Sequence, residues 1–196
     1  MSQEEIIAEK KKAIFASTLE LVRENGFHGT PMSLVAKKAG VAAGTIYHYF
    51  ESKDALIIAL YSYLRGKMAE EMLRDDDQTL DYQTRFFNLW KKHFHYFLRH
   101  TDVLYFFEQF VNSPYYERCP EKGNDRCQNI IATFLNEGME KGFLKQMNGK
   151  LMSILVNSSV VTSAKIHLTG KVEITETELQ QVAQYVWDGI RNNQGF

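Results

Sequence analysis

Apolar side chains recur at helical spacing in one segment after another, and the breaks between segments fall at Gly, Pro or a capping residue. Residues 4–25 carry Ile7, Ala8, Ile14, Phe15, Thr18, Leu19, Leu21 and Val22 as a stripe that Gly26 ends. Residues 30–39 begin with Thr30 as N-cap and Pro31 at the first helical position, followed by Met32, Val35, Ala36 and Ala39. Gly40 supplies a tight turn, and residues 44–50 form a short helix that is too small to stand without neighbours. Helix, Gly turn, helix predicts a helix-turn-helix, whose second helix enters the major groove. Ser52 caps a long fourth helix with Leu56, Ala59, Leu60, Tyr63, Leu64 and Met68 on its apolar side, closed by the acidic run at 75–77.

Beyond this point the pattern becomes aromatic. With Phe86 at zero and about 100° per residue, Trp90, His93, Phe97 and His100 fall within one narrow arc, and His95 lies opposite. The next helix, 103–112, is apolar nearly all round, with Phe106, Phe107 and Phe110. Such a face is either a plain core or the wall of a ligand cavity. Pro114 and Pro120 bracket a loop, and residues 129–141 read as a further helix stopped by Gly142. Residues 150–168 mix Leu151 and Leu155 with Ser158, Ser159 and Thr162, while 176–192 repeat Leu179, Val182, Ala183, Val186, Trp187 and Ile190 at helical spacing. These last two helices suit a four-helix bundle with their copies across a two-fold axis. The expected dimer residues are Leu155, Ser159, Thr162, Leu179, Val182, Val186, Trp187 and Ile190. The alternative is that both helices merely close the monomer core.

The chain is therefore expected to be all-α, with a helix-turn-helix domain over residues 1–55 and a larger helical domain over 56–196. At 196 residues, 44% hydrophobic and with three prolines, it has the material for a proper core. No apolar run approaches the ~18 residues that span a bilayer, and the charged N-terminus is unlike a signal segment, so a soluble cytoplasmic protein is expected. The net charge of −1 gives no support to nucleic-acid binding. Residues 10–53, however, hold seven basic against three acidic side chains, a local balance of +4. Within that stretch Lys10, Lys11 and Lys12 are either a solvated face or an edge contact to phosphates, the solvated face being favoured. Cys119 and Cys127 are expected to be reduced thiols, with a redox or metal role as the alternative.

Gly26, Phe27, Thr30, Val35, Ala36, Ala39, Gly40, Val41, Gly44, Thr45, Tyr47, Tyr49, Phe50 and Lys53 stand at offsets that resemble the DNA-binding domain of the tetracycline-repressor (TetR) family. The resemblance covers the first third of the chain. Ala42 and Pro31 depart from it, since family members often carry hydroxyl residues there; Thr30 and Thr45 are the nearby hydroxyls. It implies that Thr30, Ala43, Gly44, Thr45, Tyr47, His48 and Lys53 face double-stranded DNA, with Thr30 and Lys53 on phosphates. It also tips the aromatic face toward a cavity lined by Phe86, Trp90, His93, Phe94, Phe97, Phe106, Phe107 and Phe110. The expected protein is a ligand-responsive regulator, a repressor acting as a homodimer on a palindromic operator and released by a small apolar effector, with no cofactor, metal or membrane.

Two other readings compete with this one. A helical enzyme would use His93, His100 or Glu108 in the same cavity, but no metal-ligand pair at metalloprotease spacing, nucleophile elbow or phosphate-binding Gly loop supports catalysis. A structural protein would keep the helix-turn-helix only as a packing unit.

Overall fold

A computed structural model of the chain describes residues 3–74, 76–119 and 126–193. Among them are ten helices: α1 (Gln3–Asn25), α2 (Met32–Lys38), α3 (Ala43–Tyr49), α4 (Lys53–Leu73), α5 (Tyr82–Arg99), α6 (Thr101–Val111), α7 (Pro114–Arg118), α8 (Arg126–Glu140), α9 (Gly149–Leu168) and α10 (Glu176–Ile190). No strand is present among the described residues, where the β pairing is a single Leu144–Arg191 bridge. The all-α expectation holds, and α7 is an addition: the stretch read as a loop holds a five-residue helix with Pro114 in its first turn.

The helices sort into two compact units. One holds residues up to Leu64 together with α6 and α7; the other holds Arg65–His100 and α8 to α10. The chain crosses from one to the other within α4, and α6 and α7 join the helix-turn-helix instead of the C-terminal helices. The reason lies in α6 itself. Phe106 meets Phe27 edge-on at 5.6 Å, Phe110 stacks on Tyr61 at 4.0 Å, and Phe107 meets Tyr61 edge-on at 5.5 Å.

In the first unit Ile14, Val22, Val35, Ile46, Leu56 and Leu60 are fully buried, so α1 to α4 share one core. Phe15 lies between the Phe50 ring at 5.4 Å and the Tyr63 ring at 4.9 Å. Gly26 and Gly40 end α1 and α2 at φ 66° and 65°, where a side chain would be strained.

In the second unit α5 is the central element, packed by α9 and α10. Tyr82 stacks on Phe134 at 4.5 Å and Phe143 at 4.9 Å, and its hydroxyl donates to the Phe134 carbonyl at 2.8 Å. The helix starts are written locally: Asp81 accepts from the Thr84 amide, Asn148 from the Lys150 and Leu151 amides, and Thr175 with Glu178 forms a capping box. α9 corrects one expectation from the sequence. It is long and apolar enough, by length and composition, to cross a membrane, although Met152, Val156, Val160 and Ala164 are buried in the unit.

Candidate functional site

The short helix α3 has two faces. Ile46 and Phe50, 0% and 7% exposed, anchor it in the core. Ala43, Gly44, Tyr47 and His48 are exposed and Thr45 half-exposed, with Tyr47 reaching 55%. The fixed side therefore holds a side rich in hydrogen-bonding and stacking groups away from the protein, as a groove-reading helix requires. Each of the five α3 residues expected to face DNA lies on this outward side or at its edge.

The two expected phosphate contacts are placed differently. Thr30 is 1% exposed and its hydroxyl donates to the Gly26 carbonyl at 2.8 Å. It closes the turn after α1, and the N-cap of α2 is Pro31, whose carbonyl accepts from the Leu34 and Val35 amides. A buried, internally bonded hydroxyl has nothing to offer a phosphate. Lys53 donates its ammonium to the Phe27 carbonyl, and partial burial holds its pKa below the ordinary lysine value. In this conformation it ties the start of α4 to the turn after α1. Around them, Lys38 bridges Glu20 at 2.7 Å and Lys12 bridges Glu9 at 2.8 Å, whereas Lys10, Lys11, Arg23 and Lys37 lie exposed.

The second unit contains a cavity of about 20 Å³ with Phe86, Trp90 and His93 of α5 among its walls, faced by Leu135 of α8 and by Val156 and Val160 of α9. That is room for one water-sized group. Trp90 donates its indole N–H to the Ser159 hydroxyl at 2.9 Å. His93 is 2% exposed, its ring 4.8 Å from Phe97, and its Nε2 has no hydrogen-bond partner in the protein among the described residues. Burial pushes its pKa down to about 4, so the imidazole is neutral at pH 7. A neutral ring nitrogen held in an apolar wall can donate to or accept from one polar group of a guest.

Phe86, Trp90 and His93 are thus brought together, and Phe94 and Phe97 are buried on the same helix. Phe106, Phe107 and Phe110 correct the expectation: they belong to the first unit, on Phe27 and Tyr61. The signal was present in Phe27 and Tyr61, whose rings needed partners. Met72, Leu89, Ile131, Phe134 and Asn157 also line it and were missed, because no sequence pattern brings α4, α5, α8 and α9 to one point. The enzyme constellation is not assembled: Glu108 lies in the other unit, and the His100 side chain is 43% exposed beside Glu71.

The expected dimer residues divide by burial. Leu179, Trp187 and Ile190 are 1%, 5% and 8% exposed, and Trp187 packs on Phe86 at 5.3 Å and near Tyr82 and Phe87. These three correct the expectation, since they close the unit's own interior. Leu155 is 54% exposed and Thr162 is exposed, while Ser159, Val182 and Val186 are half-buried. Leu151, Ile154 and Tyr185, which the sequence pattern did not single out for this role, are exposed beside them on the same two helices. The expectation for Cys127 falls outside the described side chains; Cys119 is half-buried after α7.

Two family models match the chain. Residues 14–60 match "Bacterial regulatory proteins, tetR family", and residues 62–192 match "Tetracyclin repressor-like, C-terminal domain". The chain belongs to the TetR family of DNA-binding transcription regulators, which are not enzymes. It is similar to the "Fatty acid metabolism regulator protein" of Bacillus subtilis (strain 168), 29% identical over 140 residues, covering 70% of this chain and 72% of the relative. Among solved structures it is similar to a TetR family transcription regulator from Marinobacter aquaeolei VT8, with a TM-score of 0.84 at 20% identity over 97% of this chain and all of the other. It is also similar to the regulator FadR from Bacillus subtilis in complex with stearoyl-CoA, with a TM-score of 0.71 at 22% identity, covering 90% and 95% of the two chains. At these identities the structural likeness concerns the fold.

Proposed function

We propose that this protein is a cytoplasmic repressor that binds a palindromic operator as a homodimer and leaves it when a small, largely apolar effector enters the cavity at Trp90 and His93. The observation that carries the reading is α3, whose Thr45, Tyr47 and His48 stand outward on a helix fixed by Ile46 and Phe50. Thr45, Tyr47 and His48 read base edges and thymine methyls, and the exposed Lys10, Lys11, Arg23 and Lys37 supply the salt-dependent attraction to phosphates. Two-fold symmetry places one such helix in each of two successive major grooves. The pairing face is the outer side of α9 and α10, around Leu155, Thr162, Val182 and Val186, because the exposed Leu151, Ile154, Leu155 and Tyr185 on these two helices call for cover.

Largely apolar walls that carry His93 and Asn157 suit a guest that is mostly hydrocarbon and is oriented by a hydrogen bond to His93, and they must part to admit it, since the space as it stands takes one water-sized group. The relatives named for fatty acid metabolism and crystallised with stearoyl-CoA favour a long-chain guest. Such a guest releases DNA only by binding the non-operator form more tightly, with a coupling of about 1–3 kcal/mol. Fluorescence anisotropy with fragments of the chain's own promoter, repeated with a panel of lipophilic compounds, tests both halves. Specific, salt-sensitive binding reversed by a compound supports the reading, and equal affinity for random duplex overturns it.

A further inference from the structure

Met72, Leu89 and Phe134 line the small cavity at His93, and they also line a second, larger chamber of about 450 Å³. A guest reaching from one to the other passes these three side chains. Leu73, 49% exposed, stands at the wall of the larger chamber, so the chamber meets solvent at an apolar edge. The two spaces differ in chemistry. The inner one is lined by uncharged groups, mostly hydrocarbon with Asn157 and the unpartnered Nε2 of His93, whereas the outer one is charged by Glu70, Asp76, Arg85 and Glu137.

Among the described residues Arg85 is the one cation of that lining, and it is already engaged. Its Nε donates to Asp76 Oδ1 at 3.2 Å and its Nη2 to Asp76 Oδ2 at 2.8 Å, a two-pronged pair. Its guanidinium carbon also lies 5.3 Å over the Phe134 ring, itself stacked on Tyr82. An anionic group entering here either draws Arg85 away from Asp76 or shares the guanidinium's remaining N–H groups with the Asp76 carboxylate beside it, and Glu70 and Glu137 belong to the same lining. Either course sets like charges together where solvent is partly excluded. Glu70 pairs with Lys67 at 2.9 Å and Glu137 with Lys141 at 2.6 Å, but both lysine side chains are more than half exposed and neither lines the chamber. Exposed pairs of this kind are weak and exchange readily, so an ammonium delivered by a buried tail can take a lysine's place.

We propose that the outer chamber receives the head group of the effector and selects a long-chain amine or other cationic amphiphile over one that ends in a carboxylate or phosphate. The proposal rests on the reading of the inner cavity as the effector site, and it assigns to Glu70, Glu137 and the Asp76–Arg85 pair the choice of head. The tail lies along Met72, Leu89 and Phe134 and points toward Trp90 and His93, where the space of about 20 Å³ must widen to take it, whatever the head carries. Tail class is thus shared with the stearoyl-CoA-binding relative, and head class is not.

Four probes with one tail test this: dodecylamine, dodecanol, dodecanoate and dodecanoyl-CoA, each titrated into the full chain by calorimetry below its micelle concentration. Dodecylamine is expected to bind about tenfold more tightly than dodecanoate and dodecanoyl-CoA, the effect of a single charge–charge interaction that favours one head and opposes the others. Dodecanol is expected between them. Glu137→Gln is expected to lower dodecylamine affinity by a larger factor than dodecanol affinity, with Glu70→Gln as the second variant if the first folds poorly. Dodecanoate or dodecanoyl-CoA binding as tightly as dodecylamine overturns the head-group assignment while leaving the cavity reading in place. Failure of all four to bind overturns both.

Discussion

Trp90 donates its indole N–H to the Ser159 hydroxyl at 2.9 Å, joining the cavity wall on α5 to the helix that turns Leu155 and Thr162 outward. Ser159 in turn donates to the Val156 carbonyl at 2.6 Å, so its hydroxyl serves as acceptor and donor at once. Ser159→Ala leaves a buried indole N–H without a partner, at an expected cost of about 1–3 kcal/mol. Thr162→Ala, one turn on at an exposed position, is expected to cost little. Urea unfolding of the two variants at one protein concentration checks the contrast.

The pairing face is separable from the interior on the same two helices. Leu155→Glu places a charge on a 54% exposed site, and is expected to yield a folded monomer by light scattering, with unchanged helical circular dichroism. Leu179→Glu buries the charge at a 1% exposed site, and is expected to unfold the chain or lower its melting temperature severely. Dimer mass in the Leu155 variant would remove α9 from the interface.

At the DNA-reading end the structure separates support from contact. Lys53→Met removes the bond to the Phe27 carbonyl and is expected to lower stability by about 1 kcal/mol, with the salt slope of operator binding little changed. Tyr47→Ala, at a 55% exposed position, is expected to leave stability unchanged and reduce the ratio of operator to random-duplex affinity. A slope shallower by about one in the Lys53 variant would mean that its ammonium reaches a phosphate in the complex.

Protonation of His93 opposes folding. Its pKa is about 4 in the folded chain against an ordinary 6.5. Between these values the unfolded chain binds a proton that the folded chain refuses. Stability therefore falls as pH drops from 6.5 to 4 and levels off below, by roughly 2 kcal/mol between pH 7.5 and pH 5. Denaturant midpoints at the two pH values for the wild type and His93→Leu check this. The variant is expected to show a smaller loss, and equal losses would place the titration elsewhere.

Residue order alone determined the helices other than the short α7, and the reading end of the protein. Helix ends are short-range chemistry: Gly26 and Gly40 at positive φ, the Ser52 hydroxyl accepting from the Ala55 amide, and the capping box at Thr175 and Glu178 all act within a few residues of themselves. The two faces of α3 follow from the same periodicity, and so its exposed residues were legible. Tertiary structure decided what each apolar stripe meets. Leu179, Val182, Val186 and Trp187 look alike in a helical pattern, yet only packing on α5 makes Leu179 and Trp187 interior and leaves Val182 and Val186 at the edge. Phe106 and Phe110 share their aromatic character with Trp90, but Phe27 and Tyr61, far away in sequence, fix where they go. Thr30 looked like a cap because Pro31 follows it, and the Gly26 carbonyl took its hydroxyl instead. Burial is a property of pairs of segments, and a pattern read along one segment carries no record of its partner.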